Sequence, residues 1–213
     1  LSDIATHLVT APSDKLKVKI VPGLSAQNPE THIHNVMRGE ETLIVGLGLG
    51  DGIACLPGTH SKWALVEGGR ITRFASFMTG EIWGLLRQNS ILSRLAEEPS
   101  EEGARLGLAA GFAAARRPGG LLNTAFAARS EVLAGRLPGS AVGPYLSALL
   151  VGHEIAGALA LFGRHDTVHL VAEGAMAESY GGGLAAAGLN TRVTTPEAAF
   201  VAGIRRLAGA IAA

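Results

Sequence analysis

Apolar and charged residues alternate over residues 15–21, which is the two-residue period of a β-strand. Residues 52–56 form a short, mainly apolar run that ends at a proline and a glycine, as a buried strand does. Residues 62–66 and 70–77 are separated by a Glu-Gly-Gly turn, so we expect them to pair as a hairpin. The pattern therefore predicts one early strand and three consecutive strands from residue 52.

A helical period over residues 37–47 predicts a helix. Its first turn would carry Glu40 and Glu41, where the helix dipole favours acidic side chains. Residues 25–35 are polar, and we predict a loop there. Thr79 is a candidate N-cap for a helix over residues 80–95.

The second half of the chain is rich in alanine and leucine, and it predicts several helices over residues 97–162, with breaks near Pro118 and Pro138. An alternation of strand and helix follows, over residues 167–172, 176–187, 191–194 and from Pro196 onward. Three leading strands followed by alternating strands and helices predict an α/β fold with a mixed sheet. The run of three glycines at 181–183 would lie inside a helix, where it favours close packing or a break in the helix.

Composition excludes several classes of protein. The 213 residues carry a formal net charge of zero and 5% aromatic residues, so nucleic acid is not an expected partner. Cys55 is the single cysteine, which excludes a disulfide within the chain and suits a reducing compartment. The longest apolar stretch, 142–162, is interrupted by His153 and Glu154, so no membrane span is expected. We predict a cytoplasmic enzyme that acts on small molecules.

The turn between the first two strands of the main run reads Pro-Gly-Thr-His-Ser-Lys, residues 57–62. A glycine lets the backbone approach phosphate oxygens, and a hydroxyl with free N–H groups donates to them. Lys62 would add positive charge. A Gly-Thr turn on its own is more often an ordinary turn than a phosphate site. The seven histidines do not have metal-ligand spacing, and His60 is the one whose position points to function.

Longer strings within the first hundred residues are more specific. LPGTHSKW at 56–63, FMTGE at 77–81 and SIL at 90–92 closely resemble 2-dehydro-3-deoxygalactonate kinases. VPGLS at 21–25 and VMRGEET at 36–42 match the same family. The resemblance extends from about residue 17 to the C-terminus.

This resemblance implies an actin/hexokinase-like fold, which is also ribonuclease H-like, with a βββαβαβα mixed sheet. Such kinases have two similar halves with the nucleotide between them. Residues 1–50 would be the end of the first domain and 51–213 the second, with a helical insertion at about 97–163. The family's first phosphate loop, an Asp-x-Gly-Thr-Thr hairpin that helps hold Mg²⁺, is absent from this sequence, so we expect a further N-terminal segment in an intact kinase.

The resemblance also implies the chemistry: ATP-dependent phosphorylation of the C6 hydroxyl of 2-dehydro-3-deoxy-D-galactonate, with ATP and Mg²⁺ as cofactors. The implied site residues are Glu40 as catalytic base; Arg38, Asn35 and Glu41 for the sugar acid; Gly58, Thr59, His60, Ser61 and Lys62 for phosphate; and Glu173, Gly174 and Ala175 for adenosine. No metal ligand is predicted within the chain itself.

Simpler interpretations stand beside these roles. Glu40 suits the start of any helix, Arg38 could be a surface residue, and residues 173–175 could be a plain turn. His34-Asn35 replaces the family's usual Pro-Asp, which leaves open a kinase for another sugar or sugar acid. The missing N-terminal motif leaves open a non-catalytic nucleotide-binding or sugar-acid-binding relative. The region 97–163 could form a lid, a homodimer surface or ordinary helix packing.

Overall fold

The computed structural model of the protein describes residue 4, residues 7–12 and residues 15–212. In chain order the strands are β1 (Val9–Ala11), β2 (Val18–Ile20), β3 (Leu24–Gln27), β4 (His34–Met37), β5 (Gly52–Leu56), β6 (Ser61–Glu67), β7 (Arg70–Phe77), β8 (Thr167–Val171) and β9 (Asn190–Thr194). The α-helices are α1 (Glu40–Leu47), α2 (Thr79–Asn89), α3 (Glu101–Ala114), α4 (Gly120–Leu133), α5 (Val142–Phe162), α6 (Gly174–Ala186) and α7 (Pro196–Ala212). Short 3-10 helices cover Ile91–Leu95 and Gly139–Ala141.

A five-stranded mixed sheet in the order β7-β6-β5-β8-β9 forms the centre of the molecule. Within this sheet β5, β6 and β7 pair antiparallel as hairpins, and β8 then pairs parallel to β5 and to β9. The chain reaches these parallel positions through the crossovers that contain the helices. The mixed α/β sheet predicted from the sequence is confirmed.

Both faces of the sheet are covered, because alternate residues of each strand point to opposite sides. Ile53, Cys55 and Trp63 point to the face covered by α5 and α6. Ala54 and Ala64 point to the other face, where residues of α1, β4 and α7 complete a second core. A third apolar cluster joins α3, α4 and α5 beside the sheet. Cys55 is a free cysteine that is buried in this core.

Helix α5 and the 3-10 turn before it form the apolar segment Gly139–Phe162. Among the described helices, this one is long and apolar enough to cross a membrane by length and composition alone. Just over half of its residues are buried inside the protein, and they pack against the sheet and the neighbouring helices. The segment is therefore a core helix of this fold.

Helices α1 and α7 approach each other closely at two glycines. A Cβ atom at Gly46 would lie less than 3.0 Å from the Ala199 carbonyl oxygen, and one at Gly203 would lie equally close to the Thr42 carbonyl oxygen. Real Cβ atoms do not tolerate such distances, so only glycine permits this separation. The crossing fixes the position of α1 relative to the β9–α7 end of the sheet.

Several sequence predictions differ from the structure at their boundaries. The predicted loop 25–35 is wrong in part, because β3 and β4 form an antiparallel hairpin there. Leu24 and Ala26 pack inward, and the outward residues are polar, so the short alternation resembled a loop. The helix predicted from 37 begins at Glu40, and Met37 belongs to β4. Thr79 is the first residue of α2, and Met78 occupies the N-cap position.

The predicted helix 80–95 ends earlier than expected. Helix α2 stops at Asn89, and a 3-10 helix follows because the Ser90 hydroxyl accepts a hydrogen bond from the Leu92 N–H. The predicted glycine packing inside α6 is confirmed at Gly183, where a Cβ would collide with Phe112 and Ile155. The other predicted strands and helices of the second half are present within two residues of their expected ends.

Gly203→Ala tests the helix crossing. The added methyl group would meet the Thr42 carbonyl, so we expect the free energy of unfolding to fall by about 2 kcal/mol in urea denaturation.

Gly209→Ala is the matched control, since it lies on the same helix and has open space at its Cβ position. Alanine favours helix by up to about 1 kcal/mol over glycine, so this variant should be as stable as the natural protein or more stable. Equal effects of the two substitutions would contradict the close approach.

Candidate active site

The candidate phosphate turn connects β5 to β6, as the sequence predicted, and α2 begins directly against it. A Cβ at Gly80 would lie less than 3.0 Å from the Gly58 carbonyl oxygen, and the Glu81 N–H donates to the Thr59 carbonyl at 3.0 Å. His60 on the turn also contacts the Glu81 carboxylate through its Nε2 atom. These contacts hold the turn in one conformation against the first residues of α2.

Lys62 extends from β6 toward the helix that carries Glu40. The residue is only 5% exposed, and its Nζ donates to the His60 carbonyl at 3.0 Å. The same Nζ lies 3.4 Å from Glu40 Oε1, which makes an ion pair. The Lys62 ammonium group therefore contacts both the phosphate turn and the candidate base.

Glu40 is the first residue of α1. Its Oε2 accepts a hydrogen bond from the Arg38 N–H at 2.9 Å, and its Oε1 faces Lys62. Gly39 precedes it with a φ of 107°, a left-handed conformation that favours glycine. The carboxylate is held at both oxygens and stays partly exposed.

A cavity of about 360 Å³ brings Glu40 together with four of the five predicted phosphate residues. Its wall includes Glu40, Gly58, Thr59, His60 and Lys62. The sequence alone could not show whether the carboxylate and the turn face the same space. The structure places them on one wall.

A second cavity of about 260 Å³ lies on the other side of the turn. Gly58 lines both cavities, and the second one also contacts Ala175, Thr79 and Tyr180. Ala175 belongs to the candidate adenosine turn, in which Glu173 is the N-cap of α6 and Gly174 has a φ of 55°. The two candidate turns therefore meet across one cavity.

A third cavity of about 340 Å³ continues from the second, since Trp83, Ser147, Ala175 and Ser179 line both. The Arg87 guanidinium lies over the Trp83 ring, 5.2 Å from its centre. The side chain of Ser179 has a buried hydroxyl with no partner among the described residues. The groove thus runs from Glu40, past the phosphate turn, to the space between α2, α3 and α6.

Three predicted sugar-acid residues lie near this groove without lining the three cavities. Asn35 is buried and joins β4 to β7, because its Oδ1 accepts from the Ser76 N–H at 2.9 Å. Arg38 has an exposed side chain beside Glu40. Glu41 is 1% exposed, and its oxygens accept from the Gly39 N–H at 2.7 Å and the Thr42 hydroxyl at 3.3 Å. Burial raises the pKa of the Glu41 carboxyl above its usual value.

Ser61, the fifth predicted phosphate residue, points into the core. It is fully buried, and its hydroxyl lies 3.0 Å from the Tyr180 hydroxyl. Tyr180 in turn donates to Glu154, a buried carboxylate in the middle of α5. Sequence reasoning missed this pair. The available signal was a glutamate inside an otherwise apolar run, since a buried charge needs partners.

Within residues 4, 7–12 and 15–212, no group of three or more His, Cys, Asp or Glu side chains could hold a metal ion. His32 and His34 are exposed; His32 lies in the turn between β3 and β4, and His34 lies in β4.

Comparisons with known proteins agree on one family. A family model described as 2-keto-3-deoxy-galactonokinase matches residues 1–207. A Rhizobium meliloti (strain 1021) protein, provisionally named 2-dehydro-3-deoxygalactonokinase DgoK1, is 37% identical over 219 residues, which cover 99% of this chain and 70% of that protein. The 2-dehydro-3-deoxygalactonokinase of Escherichia coli (strain K12) is 32% identical over 195 residues, 91% of this chain and 65% of that protein.

A solved structure supports the same relationship. The crystal structure of a Sinorhizobium meliloti protein, provisionally assigned as a 2-dehydro-3-deoxygalactonokinase, matches with a TM-score of 0.85 and 33% sequence identity. The match covers 99% of this chain and 69% of that one. This chain therefore spans about two thirds of the length of the relatives that it matches.

The raised pKa of Glu41 predicts a pH dependence of stability. A folded-state pKa above the unfolded value means that the folded protein binds this proton more tightly. The contribution of Glu41 to the free energy of unfolding, relative to glutamine, is therefore fully present below pH 4.5, the pKa in the unfolded chain. It is lost as the pH rises through the pKa of the folded protein. Urea denaturation of the natural protein and Glu41→Gln from pH 4 upward should show this difference declining.

Glu102→Gln is the control, because its effect on stability should change with pH in the opposite direction. The hydrogen bond from Arg105 lowers the pKa of the exposed Glu102 carboxyl, so its contribution is present above pH 4.5 and is lost as the pH falls. A Glu41 difference that stays constant with pH would contradict the effect of burial.

Proposed function

This chain belongs to the 2-keto-3-deoxy-galactonokinase family and is thereby a kinase, and we propose that it transfers the γ-phosphoryl group of ATP to the C6 hydroxyl of 2-dehydro-3-deoxy-D-galactonate. The observation that supports this most directly is the shared wall of Glu40, Gly58, Thr59 and Lys62. Phosphoryl transfer requires a carboxylate near the attacking hydroxyl and donors around the phosphates, and this wall offers both.

We assign Glu40 as the base that takes the proton of the C6 hydroxyl. Its oxygens are held by the Arg38 N–H and by Lys62, which fixes the direction of the carboxylate before substrate arrives. Lys62 also lies against the turn at His60, so its charge is placed between the base and the phosphates. This position suits it to stabilise negative charge that develops during transfer.

The phosphates of ATP are assigned to Gly58 and Thr59, and the adenosine to the turn of Glu173, Gly174 and Ala175. Gly58 and Ala175 line the same cavity, which supports one nucleotide extending between them. Mg²⁺ would arrive with ATP, since phosphate oxygens and waters usually supply most of its ligands in kinase sites.

The sugar acid is assigned to the side of the groove that carries Glu40. Arg38 is exposed beside that carboxylate and has the planar fork that binds a carboxylate through two hydrogen bonds. The departure from the family's Asp at Asn35 has a local explanation, because its Nδ2 donates to the Ile33 carbonyl at 3.3 Å, which a carboxylate cannot do. The family match supports the galactonate derivative as the substrate.

We propose that the fold is actin/hexokinase-like. The sheet order β7-β6-β5-β8-β9, with three antiparallel strands followed by two parallel ones, supports that assignment. On this basis residues 1–50 belong to the first domain and 51–213 to the second, with the helices of 97–163 inserted between β7 and β8. We place the protein in the cytoplasm, where its single cysteine, Cys55, would stay reduced.

Glu40→Gln tests the catalytic assignment. Glutamine keeps the shape but cannot take a proton, so kcat should fall by about 10²- to 10⁴-fold in a coupled assay of ADP release. The assay uses protein made from the complete gene, with ATP, Mg²⁺ and 2-dehydro-3-deoxygalactonate. Glu102→Gln, which removes an exposed carboxylate of α3, should retain full turnover. Normal turnover of Glu40→Gln would rule out this residue as the base.

Arg38→Met tests the substrate assignment. Loss of a charged hydrogen-bonding partner should raise the KM for the sugar acid by about tenfold or more, with the KM for ATP unchanged. Arg105→Met is the control, because this exposed arginine pairs with Glu102 on α3. Equal sugar-acid KM values in the two variants would contradict a role for Arg38.

A further inference from the structure

Glu154 is a buried carboxylate surrounded by neutral donors. The residue is 3% exposed and lies in the middle of α5. The Trp63 indole N–H donates to Oε1 at 2.7 Å, and the Tyr180 hydroxyl donates to Oε2 at 2.7 Å. The hydroxyls of Thr79 and Ser61 complete the network.

The donors come from the elements that build the nucleotide groove. Ser61 and Trp63 lie at the start of β6, directly after the phosphate turn. Thr79 begins α2, which packs against that turn, and Tyr180 belongs to α6, whose first residues form the candidate adenosine turn. Thr79 and Tyr180 also line the cavity shared by Gly58 and Ala175.

We propose that Glu154 is a positioning residue that fixes the distance between the phosphate turn and the adenosine-binding helix, a role that rests on the proposed ATP site. A carboxylate only accepts hydrogen bonds, so every donor around it must point inward. Since the Tyr180 proton goes to Glu154, the Ser61 hydroxyl donates to the Tyr180 oxygen. The network thus connects the end of the phosphate turn to α6 with one fixed direction of donation.

The Glu154 network acts on the nucleotide through α6. Tyr180 and Ala175 belong to the same rigid helix, so holding the Tyr180 hydroxyl limits rotation of the helix that would move Ala175 relative to Gly58. Glu40 and Arg38 have no contact with this network; Glu40 is held by α1, by the Arg38 N–H and by Lys62. A change in the network should therefore weaken use of ATP and leave use of the sugar acid nearly unchanged.

Stability alone does not account for a carboxylate in this place. Burial raises the pKa of Glu154, and the hydrogen bonds from Thr79, Trp63 and Tyr180 oppose that effect without removing it. A buried charge is costly, and apolar residues of similar volume often stabilise a core as well or better. The position of the donors on two sides of the groove supplies the functional reason.

The test compares Tyr180→Phe, Ser61→Ala and the double variant, each made from the complete gene. Tyr180→Phe removes the bond from the α6 side, and Ser61→Ala removes the bond from the phosphate-turn side. We expect Tyr180→Phe to raise the KM for ATP by about tenfold, with the KM for the sugar acid changed by less than about twofold. The double variant should be no worse than the more severe single one, because both act through one network.

Glu154→Gln should show the same selective loss, since its amide places a donor where only acceptors fit. Thermal unfolding followed by circular dichroism identifies any variant that fails to fold, and Glu102→Gln, at an exposed position on α3, is the reference for unchanged KM values. Suppose that the natural protein turns over ATP, and that Tyr180→Phe and Ser61→Ala keep its KM for ATP or raise the KM values for ATP and sugar acid equally. The positioning role is then wrong, while the proposed function stands. If the natural protein releases no ADP, the proposed function fails and this inference with it.

Discussion

Two glycines hold the candidate base in place from a distance. The crossing at Gly46 and Gly203 lets α1 and α7 approach until a methyl group would not fit between them. Helix α1 carries Glu40 at its first residue, so the depth of this crossing determines how far the carboxylate lies from the phosphate turn on β6. At that position the carboxylate forms an ion pair with Lys62 of β6.

The groove is organised around the phosphate turn, with one kind of support on each side. On the Glu40 side the support is backbone packing plus a single ion pair. On the Ala175 side it is a buried carboxylate with neutral donors from β6, α2 and α6. Gly58 lines the cavities on both sides, so the position of the turn depends on both sets of contacts.

Sequence patterns predicted the central sheet because each strand ends at strong local signals. The strand that ends at Leu56 meets a proline and a glycine, and 67–69 is a compact turn. The sequence did not predict the hairpin of β3 and β4, because Leu24 and Ala26 are the only apolar residues of β3 that point inward. The candidate phosphate residues were predicted from their local string, whereas the Glu154 network joins residues 91 and 119 positions apart and no local pattern encodes it.

The position of β8 has a consequence for how the chain reaches its folded state. Ile53 of β5 pairs in parallel with Val168 of β8. The helices of 97–162 must therefore be synthesised before β8 can join the sheet as its fourth strand. Closing so long a loop has an entropic cost that local contacts do not offset, and folds with such distant pairings form slowly. During that interval the apolar face of β5 and β6 has no cover from α5. Rapid formation of the α3–α4–α5 cluster would shorten that exposure, and aggregation during synthesis should respond most to substitutions in these three helices.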